Sequence, residues 1–215
     1  MSEISLFEQM QNLISDDMLA SIQRNTREFS RLMAYYRCAL MEIETKFNVL
    51  NEEFSLQHDR NPISSIKGRL KSLPSIQEKL RRKNLPLSIS SIEENLNDVA
   101  GVRVICSFPE DVKTLADALL KQDDIRLIER KDYIKNPKQN GYRSLHLIVE
   151  VPVFLQNEKK MVRAEVQLRT TAMELWANLE HRLRYKKDVN EDLLRQTALE
   201  LAECAVMTYT LDEKM

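Results

Sequence analysis

Two short stretches carry the side chains best suited to chemistry. In SLHLIVEVPVFL, residues 144–155, Ser144, His146, Ile148 and Glu150 occupy alternate positions. In MVRAEVQLRT, residues 161–170, Arg163, Glu165, Gln167 and Arg169 do the same. Alternate residues of a strand share a face. The intervening positions are apolar: Leu145, Leu147, Val149, Val151 and Val153 in one run, Val162, Ala164, Val166 and Leu168 in the other. A short turn, QNEKK, joins the runs, so they are expected to pair as an antiparallel hairpin. One face then seals a core, and the other presents an imidazole, a carboxylate, an amide and a guanidinium. A solvated outer face is ordinary for an antiparallel sheet. Here, however, those groups converge beside NPKQNGYR, a turn-rich loop bearing Lys138 and Tyr142, and a binding site is the expectation.

A cationic stretch supplies a second half. KGRLKSLPSIQEKLRRK, residues 67–83, holds seven basic residues and one acid, Glu78. Its second part reads as a helix with Leu73, Ile76 and Leu80 turned inward. Ser75, Lys79 and Arg82, spaced by four and three, stand together on another face. Basic groups and a hydroxyl near a helix start suit a polyphosphate, although a solvated basic helix has the same composition. Asp98, in NLNDVAGVRV, precedes the strand that bears Arg103. With Glu165 it forms a possible carboxylate pair for Mg²⁺, an ion commonly completed by water and substrate phosphates.

Composition narrows the classes. The chain has 215 residues, 43% of them apolar, which supports a real core. Its net charge of −1 disfavours a generally basic nucleic-acid binder. Three dispersed cysteines, Cys38, Cys106 and Cys204, signal neither a zinc site nor a disulfide framework, and a reducing, cytoplasmic setting is expected. No stretch reaches the roughly 18 apolar residues of a membrane span, and the first residues do not read as a signal peptide. With only three glycines there is neither a G-x-G-x-x-G fingerprint nor a Walker loop, so any phosphate must be held by side chains.

The elements that position these groups follow from periodicity. A long helix is expected over 18–50, from Ile22, Phe29, Met33, Tyr36, Leu40, Ile43, Phe47 and Leu50. Its stripe fits core packing or an oligomer interface. DRNPIS breaks the helix. Short helices are expected at 72–83 and 89–97, a strand at 101–108, a helix at 110–122, and a strand at 125–134. The hairpin follows, with Pro152 pointing to an edge or a bulge. Helices at 171–186 and 190–212 close the chain. In the first of these, Ala172, Trp176, Leu179 and Leu183 are expected to face the core. Glu174, Asn178, His181 and Tyr185 line another side. Glu180 and His181 lack metal-ligand spacing and read as hydrogen-bonded or substrate-orienting groups. The expected fold class is α+β: a mixed, mostly antiparallel β-sheet with helices packed on it and helical extensions at both termini. The domain reading is a helical extension at 1–58, a catalytic domain at 59–187 and a C-terminal helix at 188–215.

GRLKSLPSIQEKLRRK, NDVAGVRV, KDYIKNPKQNGYRSLHLIVEVPVF, AEVQLRT and AMELWANLEHRLRYK occur in this order across residues 60–187. This ordered set resembles the small alarmone synthetases, the single-domain members of the Rel/Spo (p)ppGpp synthetase superfamily, which share a nucleotidyltransferase-like synthetase fold. The resemblance implies transfer of pyrophosphate from ATP to the ribose 3′-hydroxyl of GDP or GTP, releasing AMP. It implies that Arg69 and Arg103 sandwich the adenine, and that Lys71, Ser75, Lys79 and Arg82 hold the ATP phosphates. Asp98 and Glu165 would bind Mg²⁺, and Glu165 would also take the proton of the 3′-hydroxyl. Tyr142 would stack on guanine, with Lys138, His146 and Gln167 holding the acceptor. The family forms homotetramers through its terminal helices, which suits the long stripe at 18–50. No hydrolase histidine–aspartate pair precedes the synthetase region, so synthesis without hydrolysis is expected. Two alternatives share these features: a relative that pyrophosphorylates the 3′ end of tRNA, and an inactive nucleotide-binding regulator.

Overall fold

The computed structural model describes residues 16–58, 60–184 and 191–215, with side chains described over 26–57, 60–183 and 196–215. The elements are α1 (Asp16–His58), β1 (Ile63–Leu70), α2 (Leu73–Arg82), α3 (Ile89–Asn95), β2 (Ala100–Cys106), α4 (Pro109–Leu120), β3 (Arg126–Asp132), β4 (Leu145–Leu155), β5 (Glu158–Thr170), α5 (Thr171–Arg184) and α6 (Glu191–Lys214). The five strands form one sheet in the order β1-β2-β5-β4-β3. Only β2 and β5 run parallel; the other three pairings are antiparallel. The fold is therefore the expected α+β class.

The core lies between α1 and α4 and one face of the sheet. Leu40, Ile43, Phe47 and Leu50 of α1 are buried, with Leu32, Tyr35, Tyr36 and Ala39 beside them, while Phe29 and Met33 pack at the margin. Ile22 lies outside the residues whose side chains are described. The helix is longer than the stripe implied, running to His58. The strands meet α1 through Val102, Val104, Leu147, Val149, Val166 and Leu168, all nearly inaccessible. This is the strand parity expected of the hairpin.

Three local readings change. ISSIKGRL, which shows no apolar alternation, is the edge strand β1. It is paired on one side only, so little in its own side chains announces it. The hairpin turn is Gln156–Asn157, since Leu155 already pairs with Glu158. Pro152 keeps its expected edge position: the pairing with β3 starts at Arg126 opposite Glu150, so at Pro152 the strand β4 has a neighbour on the β5 side only. In α5, Leu179 is 40% exposed, and Met173 joins Ala172 and Trp176 inside. Tyr185 and the expected boundary at 187–188 lie outside the described residues, as does Asp59.

The helix α6 packs on α5 and on the loop before β4. Trp176 Nε1 donates to Leu201 O at 2.7 Å, and Thr170 Oγ1 donates to Asp212 Oδ2 at 2.8 Å. The Arg143 guanidinium lies 3.8 Å from the Tyr209 ring centre. Gly141 has φ +89°, and a Cβ there would meet the Ala205 Cβ at 2.5 Å. Both the backbone and the space therefore require glycine at this turn. Among the described residues, no helix is long and apolar enough to cross a membrane.

Candidate active site

Strand register builds two rows of side chains across the outer face of the sheet. Lys67, Arg103, Gln167, His146 and Lys131 are register partners from β1 to β3. Alongside runs a second row, Arg69, Gly101, Glu165 and Ile148. Gly101 has no side chain to fill the space between Arg69 and Glu165. A cleft of about 480 Å³ opens here, and its walls include Arg69, Lys71, Asp98, Arg103, Glu165 and Gln167.

The cationic side of the cleft is organised around Asp98. Its Oδ2 lies 2.6 Å from Lys79 Nζ on α2 and 3.1 Å from Lys71 Nζ just after β1. Its Oδ1 is buried and has no protein partner. Burial alone would raise this carboxyl, but the two ammonium groups outweigh it and hold it below the usual carboxylate value. Both lysines are thus drawn to one point at the mouth of the sheet. Ser75 and Arg82 are not among the cleft walls. Ser75 Oγ lies 3.0 Å from Ser72 Oγ, and Arg82 is exposed at the end of α2. Pro74 sits in the first turn as expected, whereas the Ser72 side chain makes no capping bond.

The other side is a chain of oriented hydrogen bonds. Arg169 Nη2 donates to the Tyr142 hydroxyl and, at 3.0 Å, to Gln167 Oε1. A guanidinium can only donate, so the Tyr142 hydroxyl accepts there and keeps its own hydrogen for His146 Nε2, 2.8 Å away. That places the imidazole hydrogen on Nδ1, which donates to Glu165 Oε1 at 3.0 Å. Gln167 Nε2 donates to Glu165 Oε2 at 2.9 Å. Burial would raise Glu165, but the hydrogen bond from His146, its charge when protonated, and the Gln167 bond together keep it below the ordinary carboxylate range. Asp98 pulls the other way, a sign that the two carboxylates share one electrostatic site.

Tyr142 occupies an aromatic corner. Tyr133, His146 and Trp176 meet it edge-on, with ring centres 6.0, 5.9 and 6.4 Å away. Lys138 Nζ lies 5.0 Å from its ring centre and 4.7 Å from that of Tyr133. Asn140 Nδ2 donates to Glu180 Oε1 at 3.3 Å, so α5 also touches this loop.

The structure therefore brings Arg69, Lys71, Asp98, Arg103, Glu165 and Gln167 to one cleft, with Lys79 joined to it through Asp98 and His146, Tyr142 and Lys138 reached through Glu165 and the aromatic corner. It does not bring in Ser75 and Arg82. Sequence reasoning missed three residues. Arg169 is the hub of the network and only 4% exposed, yet parity read it as one more outward arginine. Tyr133 follows directly on β3, after the charged run ERKD. Glu174, which the sequence places only on a polar helix face, bonds two arginines, Arg103 and Arg169. A clue was available, since Arg169 precedes a helix with an acid, Glu174, in its first turn.

Comparison with known proteins identifies the family. The model of the region found in RelA / SpoT proteins matches residues 68–190. Over 180 residues the chain is 46% identical to the GTP pyrophosphokinase YwaC of Bacillus subtilis (strain 168), spanning 84% of this chain and 85% of that protein. The crystal structure of the small alarmone synthetase 1 from Bacillus subtilis bound to its product pppGpp superposes with a TM-score of 0.78. It is 34% identical and covers 88% of this chain and 95% of that one. Small alarmone synthetase 2 from the same organism gives a TM-score of 0.75 at 44% identity, covering 86% and 94%.

Proposed function

This chain belongs to the RelA/SpoT family, as a single-domain (p)ppGpp synthetase of the small alarmone synthetase type, and from that membership we propose how its cleft works. The protein transfers the pyrophosphoryl group of ATP to GDP or GTP, giving ppGpp or pppGpp and AMP. The observation that carries the residue assignment is the position of Glu165. It lies between a cationic pocket, with Lys71 and Lys79 on Asp98, and an aromatic corner with Tyr142.

ATP lies along the β1–β2 side. The guanidinium planes of Arg69 and Arg103 hold its adenine. Lys71 and Lys79 exchange Asp98 for phosphate oxygens, and Ser75 and Arg82 act from the outer part of α2. The acceptor base stacks on Tyr142 once Lys138 leaves the ring for the acceptor phosphates. His146 and Gln167 hold the ribose side and keep Glu165 aimed. The 3′-oxygen then attacks the β-phosphorus in line. The bond from that phosphorus to the α,β-bridging oxygen breaks, AMP leaves with the bridging oxygen, and Glu165 takes the hydroxyl proton. Positioning supplies most of the acceleration in such a transfer.

Mg²⁺ fits this donor set. Among the described residues no group of three or more metal-ligating side chains exists. Two carboxylates completed by water and phosphates is a common mode for this ion, and the unpartnered Asp98 Oδ1 is a free donor. Asp98 and Glu165 would hold it, and when bound it supplies charge neutralisation at the phosphates and lowers the pKa of the attacked hydroxyl.

The wider proposal places a catalytic unit at 59–187 between helical ends, in the cytoplasm, as a homotetramer without nucleic acid. The apolar side chains of Leu199, Val206, Met207 and Leu211 on α6 and of Met41 and Val49 on α1 are exposed in the single chain, which supports association through these helices. Light scattering at micromolar concentration should give four times the chain mass; a monomer would refute the assembly.

The direct test is incubation with ATP, Mg²⁺ and GDP or GTP, with anion-exchange separation of products. AMP and a guanosine 3′-diphosphate are expected in equal amounts. Transfer to tRNA alone, or binding without turnover, would favour one of the two alternatives.

A further inference from the structure

Glu174 links Arg103 of the cleft wall to Arg169 beside the aromatic corner. Its Oε1 accepts from Arg103 Nη1 at 2.9 Å and from Asn178 Nδ2 at 3.2 Å. Its Oε2 accepts from Arg169 Nη1 at 2.8 Å. One carboxylate, its side chain 13% exposed, thus joins an arginine of the donor wall to the arginine that holds the Tyr142 hydroxyl. The two arginines differ in freedom. The Arg169 side chain is 5% exposed and has three partners besides the carboxylate: Ser144, Gln167 and Tyr142 share its nitrogens. The Arg103 side chain is 34% exposed, and its Nε is buried without a partner. Among the described residues Glu174 is therefore the group that fixes the plane of Arg103, and it does so from an anchor shared with the acceptor side.

We infer that Glu174 is a positioning residue that couples the two nucleotide subsites, so that each nucleotide strengthens the binding of the other. The inference rests on the proposed assignment of adenine to Arg103 and of the acceptor base to Tyr142. A base stacked on Tyr142 restrains its ring and hydroxyl, and through Arg169 it holds the Glu174 carboxylate still. Arg103 then meets the adenine already oriented. An adenine on Arg103 does the same in reverse, because coupling between two sites is reciprocal. The ordering of side chains is done once and shared by two ligands.

Carboxylate chemistry makes the link specific. Both partners are obligate donors, so the bridge needs an acceptor at each end. Glutamine at this position would accept from one arginine and turn an NH₂ toward the other. Aspartate would keep the charge but fall short by one methylene. Either change cuts the bridge without removing a nucleotide contact from Arg103 or Tyr142.

The test is equilibrium binding of α,β-methylene-ATP, which cannot release AMP, with and without saturating GDP in the presence of Mg²⁺. The reverse titration completes the cycle. For the unaltered protein the affinity ratio should be about 5-fold or more in both directions, within the usual range of coupled sites. In E174Q and E174D the ratio should fall to about 1 while each nucleotide still binds alone. A residue that only touches one nucleotide would change that affinity and leave the ratio alone. Independent binding in the unaltered protein, or an unchanged ratio in the two variants, overturns the inference while the proposed function stands. Failure of the unaltered protein to bind either nucleotide would instead overturn the proposed function.

Discussion

Glu165→Gln should lower turnover about 10²–10⁴-fold, the usual contribution of a positioned general base. Nucleotide affinity should survive. The amide is nearly isosteric and can still accept from His146 Nδ1. Its NH₂ would oppose the Gln167 donor that now bonds Oε2, so one hydrogen bond is lost, at about 1 kcal/mol. Arg69, Lys71, Lys79 and Tyr142 keep their places, and binding of the methylene analogue and of GDP reports on them separately. Retained turnover would remove Glu165 as the base. The pH profile adds a signed expectation. The folded-state pKa of Glu165 lies below its ordinary 4.5, so the folded protein favours the ionised form. The stability this contributes is complete above about pH 4.5 and is lost as pH falls through the lower folded value. Asp98, depressed from 3.8, follows the same sign. Neither carboxylate should therefore limit turnover near neutral pH, and an acid limb belonging to them should appear only below their ordinary range.

Tyr142→Ala should weaken GDP binding by about 1–3 kcal/mol, roughly 5- to 150-fold, by analogy with base–aromatic stacking elsewhere. The direct loss falls on the acceptor, because the ring stands in the aromatic corner with Tyr133 and Trp176, away from the lysines on Asp98. Tyr142→Phe separates the two parts of the side chain. It keeps the stacking surface and removes the hydroxyl that lies between Arg169 and His146. Acceptor binding should then persist while turnover falls, since the imidazole no longer has a partner selecting the Nδ1 hydrogen that it donates to Glu165. An equal loss of donor and acceptor affinity in the alanine variant would argue against stacking on this ring.

The face of the sheet was legible in the sequence because strand parity is a local rule. Val162, Ala164, Val166 and Leu168 point one way only if Glu165 and Gln167 point the other. The long stripe of α1 and the basic helix were legible for the same reason. What lay beyond local rules depended on distant partners. The strand β1 exists because β2 offers it a ladder, with Lys67 opposite Arg103 and Arg69 opposite Gly101. Arg169 looks like any outward arginine until Tyr142, Gln167, Ser144 and Glu174 surround it. His146 and Glu150 have the alternation of a solvated face, yet they are 8% and 6% exposed, because other elements cover that face. Helix faces were read less well than strand faces. Met173 is inside and Leu179 is 40% exposed, the reverse of what the apolar spacing of α5 alone suggests. Ser75 and Arg82 rest on the family resemblance, since the structure leaves both outside the cleft walls.

The seat of α6 against Gly141, Arg143 and Thr170 has a dynamic consequence. The loop that presents Lys138 and Tyr142 has no sheet partner of its own over residues 138–143, and its packing is lent by Ala205, Tyr209 and Leu201 through Trp176. Loop and helix should thus open as one cooperative unit, with their slow amide hydrogens exchanging at a common free energy. Occupation of the guanine platform would then slow exchange along α6 around Leu201–Asp212, on a helix none of whose described residues lines the cleft.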